Sequence, residues 1–158
     1  MTFRQGKSVA DSAVEYRIPE LFSQTHEVFF GGSLLQIVNK VASSVALHHA
    51  EGVCEMIGID FVRFFSPVKK GDILVCKASV NRTWHSSLEI GALVIAEDFS
   101  LLEQRKVLSA YFTFSVLDES QKPSKVVSVL PESKEERKRY IEAEKRRLFR
   151  YRTSYSAL

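Results

Sequence analysis

Gly31-Gly32-Ser33-Leu34-Leu35-Gln36-Ile37-Val38-Asn39-Lys40-Val41-Ala42-Ser43-Ser44-Val45-Ala46-Leu47-His48-His49 is the stretch on which the fold turns. Leu34, Leu35, Ile37, Val38, Val41, Ala42, Val45 and Ala46 recur at helical spacing, so the segment reads as one long helix. Gly32 and Ser33 suit its start as N-caps, and its expected end lies at about His49, before Gly52. Only Gln36, Asn39, Lys40, Ser43 and Ser44 interrupt the apolar girth, which predicts a helix wrapped by other structure. His48 and His49 close it, where a positive imidazole suits the negative end of the helix dipole.

Working outward, residues 12–18 alternate weakly and stop at Pro19, as a first strand would. Residues 1–10 read as a loose polar start, and 19–30 show no clear period. Beyond the helix the period changes to two. Residues 55–65, 73–84, 87–97 and 107–117 read as strands, with turns at Lys69-Lys70-Gly71-Asp72 and from Asp118 to Pro123. Residues 98–106 read as a polar loop. Pro131 precedes a last helix over about 132–150, with Glu135–Arg139 and Glu142–Arg146 spaced for i,i+4 pairs. Consecutive strands with short links exclude a doubly wound parallel sheet. The expected class is α+β: one curved antiparallel sheet around one buried helix, plus a C-terminal helix.

The 158 residues suit one domain, and a chain of this size buries about 70% of its unfolded surface. Apolar residues make up 45% and charged residues 26%, so whole-chain disorder is excluded. Two cysteines, Cys54 and Cys76, make no disulfide scaffold; without a CxxC or Cys/His cluster no metal site is expected. The start lacks the apolar run of a signal peptide and no stretch reaches the length of a membrane span, so a cytoplasmic protein without a membrane partner is expected. Residues 131–152 carry nine Lys/Arg against five Glu, so the net charge of +3 belongs to that segment. The interleaved glutamates argue for a solvated helix face and against a nucleic-acid partner.

Four blocks then resemble one family. THEVFFGGSLLQIVNKVASSVALHHA (25–50) is similar to the Gly-Gly start and central helix of hotdog-fold acyl-CoA thioesterases. IDFVRFFSPVKKGDIL (59–74), VNRTWHSSLEIGALVIAED (80–98) and AYFTFSVLD (110–118) resemble that family's following elements, in its order. The resemblance implies a hotdog domain over 1–130 with a basic helical extension over 131–158. It also implies hydrolysis of acyl-CoA to free acid and CoA, and a homodimer that joins sheets edge to edge, with active sites in the seam. Further assembly to a tetramer or hexamer is common in such proteins. No cofactor is expected beyond the coenzyme A of the substrate itself.

The resemblance also assigns residues. Gly32 at the helix tip would face the developing oxyanion, because the first turn of a helix has free N–H groups. Asn39 stands where the family carries a catalytic carboxylate, and an amide cannot accept a proton near pH 7. Gln24 stands where some members carry an asparagine. Three readings of Asn39 remain open: an introduced Asp→Asn change, a protein that uses another base, with Glu27 and His26 the nearest candidates, or binding without hydrolysis. Met56, Ile57 and Gly58 would present backbone groups to the pantetheine amides, and Ser86 and Ser87 would lie near the thioester or pantetheine of an opposing subunit. Arg82 and Lys106 are candidates for the CoA phosphates. A hotdog dehydratase ranks last, because its His-Phe-Pro signature is absent.

Overall fold

The structure, a computed structural model, describes residues 6–19, 31–98 and 100–154. The elements run β1 (Lys7–Ser8), a 3-10 turn (Val9–Asp11), β2 (Val14–Ile18), α1 (Gly31–Ala50), β3 (Val53–Phe64), β4 (Ile73–Thr83), β5 (Ser87–Asp98), β6 (Glu103–Leu117), β7 (Val129–Leu130) and α2 (Lys134–Ser154). β2, β4, β5, β6 and β3 form one five-stranded sheet in that order, and every neighbour pair is antiparallel. The α+β class expected from the pattern is the one observed.

Alternation places one set of side chains against α1. Leu74, Cys76, Ala78 and Val80 of β4, Leu88, Ile90, Ala92 and Val94 of β5, and Leu108, Ala110, Phe112 and Phe114 of β6 are all buried. They meet Leu34, Val38, Val41, Ala42, Val45 and Ala46, the apolar stripe of α1. Each large side chain so buried contributes roughly 1.5–3 kcal/mol. Phe112 and Phe114 are the largest, and truncating either to alanine costs about 3–5 kcal/mol. Cys76 lies in this core as a free thiol pushed up to about 12 by burial, and Cys54 is also free.

The opposite face carries α2. Its N-terminus is a capping box: Ser133 Oγ accepts from the Glu136 N–H at 3.1 Å, and Glu136 Oε2 accepts from the Ser133 N–H at 3.1 Å. The backbone N–H groups of Glu132 and Ser133, both donating to Oε2, hold the Glu136 carboxyl below its ordinary pKa. The helix is fastened by charge. Arg146 reaches Glu89 of β5 through Nε at 3.2 Å and NH2 at 2.7 Å, with its guanidinium 3.7 Å from the centre of the Tyr111 ring. Arg150 adds contacts of 3.2 Å to both Glu89 and Asp60.

Several expectations are corrected. Residues 7–11 are not a loose start. β1 pairs in parallel with β7, and Lys7 reaches the carbonyl of His49 at 3.0 Å and the carboxylate of Glu51. That ammonium, not an imidazolium, answers the dipole at the end of α1. His49 is fully buried and held neutral: Nε2–H donates to the Val127 carbonyl at 2.9 Å, and Ser12 Oγ lies 3.4 Å from Nδ1. Helix α1 already includes Gly31, so Gly32 and Ser33 are first-turn residues rather than caps. Nor is α1 wrapped all round, since Gln36, Lys40, Ser44, Leu47 and His48 are exposed. Arg146 pairs with Glu89 instead of Glu142, because a buried carboxylate offers a stronger field than a solvated one.

Candidate functional site at the tip of the central helix

Helix α1 spans 20 residues, about 30 Å, so its two ends lie at opposite ends of the sheet. At the N-terminal end Gly32 is exposed, and a Cβ added there would meet nothing within 4 Å. Among the described residues, then, nothing lies over Gly32 on its Cα side. Gly31, by contrast, is covered by the ring of Phe64, the last residue of β3. Beside them a cleft of about 260 Å³ is lined by Gly31, Leu34, Phe64, Phe65, Val68 and Val107 among others. Its walls are mainly apolar, with Ser66 among them. Sequence reasoning did not single out Phe64 as a neighbour of the helix tip. The signal was Gly31 itself, since a residue without Cβ allows close approach.

Asn39 lies two turns beyond Gly32 on the flank of α1 that the sheet leaves bare. Its Oδ1 is fully buried yet has no donor among the described residues. With Lys40, Ser43, Ser44, Leu47 and His48 it lines a shallow groove of about 610 Å³. Gln24, His26 and Glu27 lie outside the described residues.

The remaining candidates fall into two sets. Met56, Ile57 and Gly58 lie toward the start of β3, which among the described residues is an edge strand paired with β6 alone. The ladder slips between Met56 and Gly58, so Ile57 is a bulge residue. Ser86 and Ser87 sit in the β4–β5 hairpin, on the same side of the molecule: Ser87 and Glu55 share Ser115 as register partner. This is the end where α1 finishes, since His85 O accepts from the Val126 N–H and Val127 holds His49. Within one chain, then, the serines and the β3 bulge stand apart from the Gly32 tip. Lys106 belongs to the tip end, its carbonyl accepting from Ser66 Oγ at 2.5 Å. Arg82 is held by α2: its Nε is 3.1 Å from Glu144 and its guanidinium 4.2 Å from the centre of the Tyr140 ring. Among the described residues no three His, Cys, Asp or Glu cluster as metal ligands would, and no helix is long and apolar enough to cross a membrane.

A long helix cradled by one antiparallel sheet, its free tip beside an open strand edge, is the hotdog class of protein. Residues 26–102 match the Thioesterase superfamily. The uncharacterized acyl-CoA thioester hydrolase YkhA of Bacillus subtilis is 30% identical over 120 residues, which is 76% of this chain and 70% of that protein. The acyl-CoA hydrolase of Staphylococcus aureus, solved with butyryl coenzyme A and coenzyme A, superposes with a TM-score of 0.84 at 29% identity over 95% of both chains. An apo-hexameric acyl-CoA thioesterase superposes with a TM-score of 0.88 at 28% identity, over 98% of this chain and 99% of that one. The chain belongs to the thioesterase superfamily.

Proposed function

We propose that this protein hydrolyses acyl-CoA thioesters at a site completed by a second copy of the chain. The observation that carries the reading is the bared flank of α1. An exposed Gly32 in the first turn and a buried amide oxygen at Asn39 with no donor among the described residues lie on one helix, beside a mainly apolar cleft. The thioester carbonyl oxygen takes the first-turn N–H groups, which stabilise the tetrahedral intermediate as charge develops. Asn39 orients the attacking water but does not take its proton. Gln24 holds the thioester or the water, and the proton acceptor is Glu27 or His26. Collapse of the intermediate breaks the C–S bond and leaves the free acid and CoA, whose sulfur takes up a proton.

The second copy is supported by what β3 exposes. Met56, Ile57, Phe61, Val62, Phe64 and Phe65 are all exposed on or just after a strand whose second edge is unpaired among the described residues. An antiparallel partner strand covers that edge and sets the Met56–Gly58 backbone and the Ser86–Ser87 hairpin of one copy near the helix tip of the other. Further assembly follows the hexameric relative. Lys106, free of Glu144, is placed better than Arg82 for the CoA phosphates. The basic stretch over 131–158, which carries α2, serves as an extension to the hotdog domain, and the cytoplasm, where acyl-CoA is made and used, is the compartment. The test is release of CoA from acyl-CoAs of graded chain length, read with a thiol reagent, together with the mass of the particle in solution. Ligand-induced melting shifts without CoA release would identify a binding module instead.

A further inference from the structure

Helix α2 is amphipathic in the inverse sense. The side toward the sheet carries Ala143 with Arg146 and Arg150, the two arginines committed to Glu89 and Asp60. Its two large aliphatic side chains point away from the sheet: Ile141 is 58% exposed and Leu148 51%. They belong to one stripe. Lys134, Lys138, Ile141, Lys145, Leu148 and Arg152 recur at alternating steps of four and three, the spacing of a single helix face, and all are exposed. Phe149 and Tyr151, also exposed, flank it.

The glutamates that interleave with these cations in the sequence leave the stripe in space. Glu136 is committed to the backbone at the start of α2. Glu144 turns to Trp84 Nε1 at 2.8 Å and to Arg82 Nε at 3.1 Å. Glu135 and Glu142 lie about a quarter of a turn from the centre of the stripe. Glu142 comes no nearer than 4.0 Å to Lys138, a surface pair worth little. The outward face is therefore basic and apolar at once, which the alternation of charges along the sequence conceals.

We propose that this face of α2 docks on the surface of an anionic phospholipid bilayer. The helix lies flat, with Ile141 and Leu148 between the headgroups and Lys134, Lys138, Lys145 and Arg152 at the lipid phosphates. Charge and apolarity together select this occupant. The same face of a second copy would set cation against cation. A nucleic-acid strand answers the cations but leaves the aliphatic side chains in water. The bilayer interface answers both, and the long basic side chains reach the phosphates past their aliphatic neighbours. Helix α2 is not long and apolar enough to cross a membrane, so it rests on one.

The experiment is co-sedimentation of the full chain with vesicles of phosphatidylcholine alone and of phosphatidylcholine mixed with phosphatidylglycerol. Binding to the mixed vesicles should be about tenfold stronger or more, and should weaken as salt rises. Lys138→Gln/Lys145→Gln and Ile141→Ser/Leu148→Ser should each lose about tenfold in binding to the mixed vesicles. Their melting temperatures should stay within a few degrees of the parent, since all four positions are exposed. Absence of binding to the mixed vesicles, as when another copy covers α2, overturns the proposal. So does equal binding to neutral vesicles, unchanged binding in either variant, or binding of a DNA duplex as tight as that of the mixed vesicles. The vesicles contain no thioester, so the result stands apart from any assay of hydrolysis.

Discussion

The ring of Phe64 lies on Gly31 so closely that a Cβ added to the glycine would stand 2.8 Å from Cε1 and 2.9 Å from Cζ. The end of β3 thus closes over the beginning of α1, and the ring forms one wall of the apolar cleft beside the helix tip. A cleft of about 260 Å³ is smaller than most whole-ligand sites, so an acyl chain seated there on the proposed reading would be a short one. Phe64→Ala should open it. The expected result is a rise of about tenfold in kcat/KM for long-chain over short-chain acyl-CoA, since each methylene newly accommodated is worth roughly 1–3 kcal/mol. Gly31→Ala acts in the other direction, displacing the ring at a cost of about 1–3 kcal/mol in stability. An unchanged chain-length profile in Phe64→Ala would place the acyl chain elsewhere.

Glu89 is fully buried and Arg146 almost so. Replacing one partner of such a pair strands the other without its counter-charge. Glu89→Leu should therefore destabilise the protein by about 3–5 kcal/mol in urea unfolding and loosen α2, although Arg150 retains Asp60. Glu89→Leu with Arg146→Met should recover most of that loss, because a well-packed apolar pair replaces the charges. A double variant as weak as the single one would show that α2 is held by something other than this pair.

The pattern of α1 and of the sheet was legible because hydrophobic period is a local property. Leu74 and Leu88 announce their face through their own neighbours. Lys7 and Val129 do not, since a two-residue parallel pair leaves no period and joins segments far apart in the chain. Glu89 reads as one more outward polar residue of an alternating strand; only the placement of α2 makes it buried. At the site, Gly32 and Asn39 were assigned by the resemblance, which carries over directly along one continuous helix. That Met56 and Ser87 lie at the far end of the sheet from Gly32 depends on register, which single-strand patterns do not carry. The position of Gln24, His26 and Glu27 lies outside the described residues.

His49 gives the fold a pH dependence. Burial pushes its pKa below the ordinary 6.5, against the raising effect of the Val127 carbonyl. The unfolded chain then binds the extra proton first as pH falls. Stability from this residue is complete above pH 6.5 and declines as the pH drops below it, by at most about 1.4 kcal/mol per pH unit. His49→Gln keeps a donor for Val127 and removes the titration. Urea midpoints between pH 5.5 and 7.5 should fall with pH in the parent and run flatter in the variant. Equal slopes in both would assign the dependence to other groups.

On the proposed reading, position 39 bears on how the water is activated. Its amide can hold a water but cannot take its proton, whereas an aspartate of nearly the same size can do both. If the site has the geometry of its relatives, Asn39→Asp should raise the rate of CoA release by on the order of 10²–10⁴-fold, the usual worth of a positioned base. The substitution changes little volume, and the Oδ1 it replaces already lacks a donor among the described residues. The new carboxylate would nonetheless be partly desolvated, so its activity should set in above the ordinary carboxylate range of about 4 and reach a plateau as pH rises. On the proposed reading the acceptor is Glu27 or His26, and one of Glu27→Gln or His26→Ala should abolish turnover while the other preserves it. A bell or plateau centred near 6.5 would select the histidine, one near 4.3 the glutamate. Full activity in both single variants, combined with no gain in Asn39→Asp, would remove position 39 and the preceding segment from the chemistry altogether.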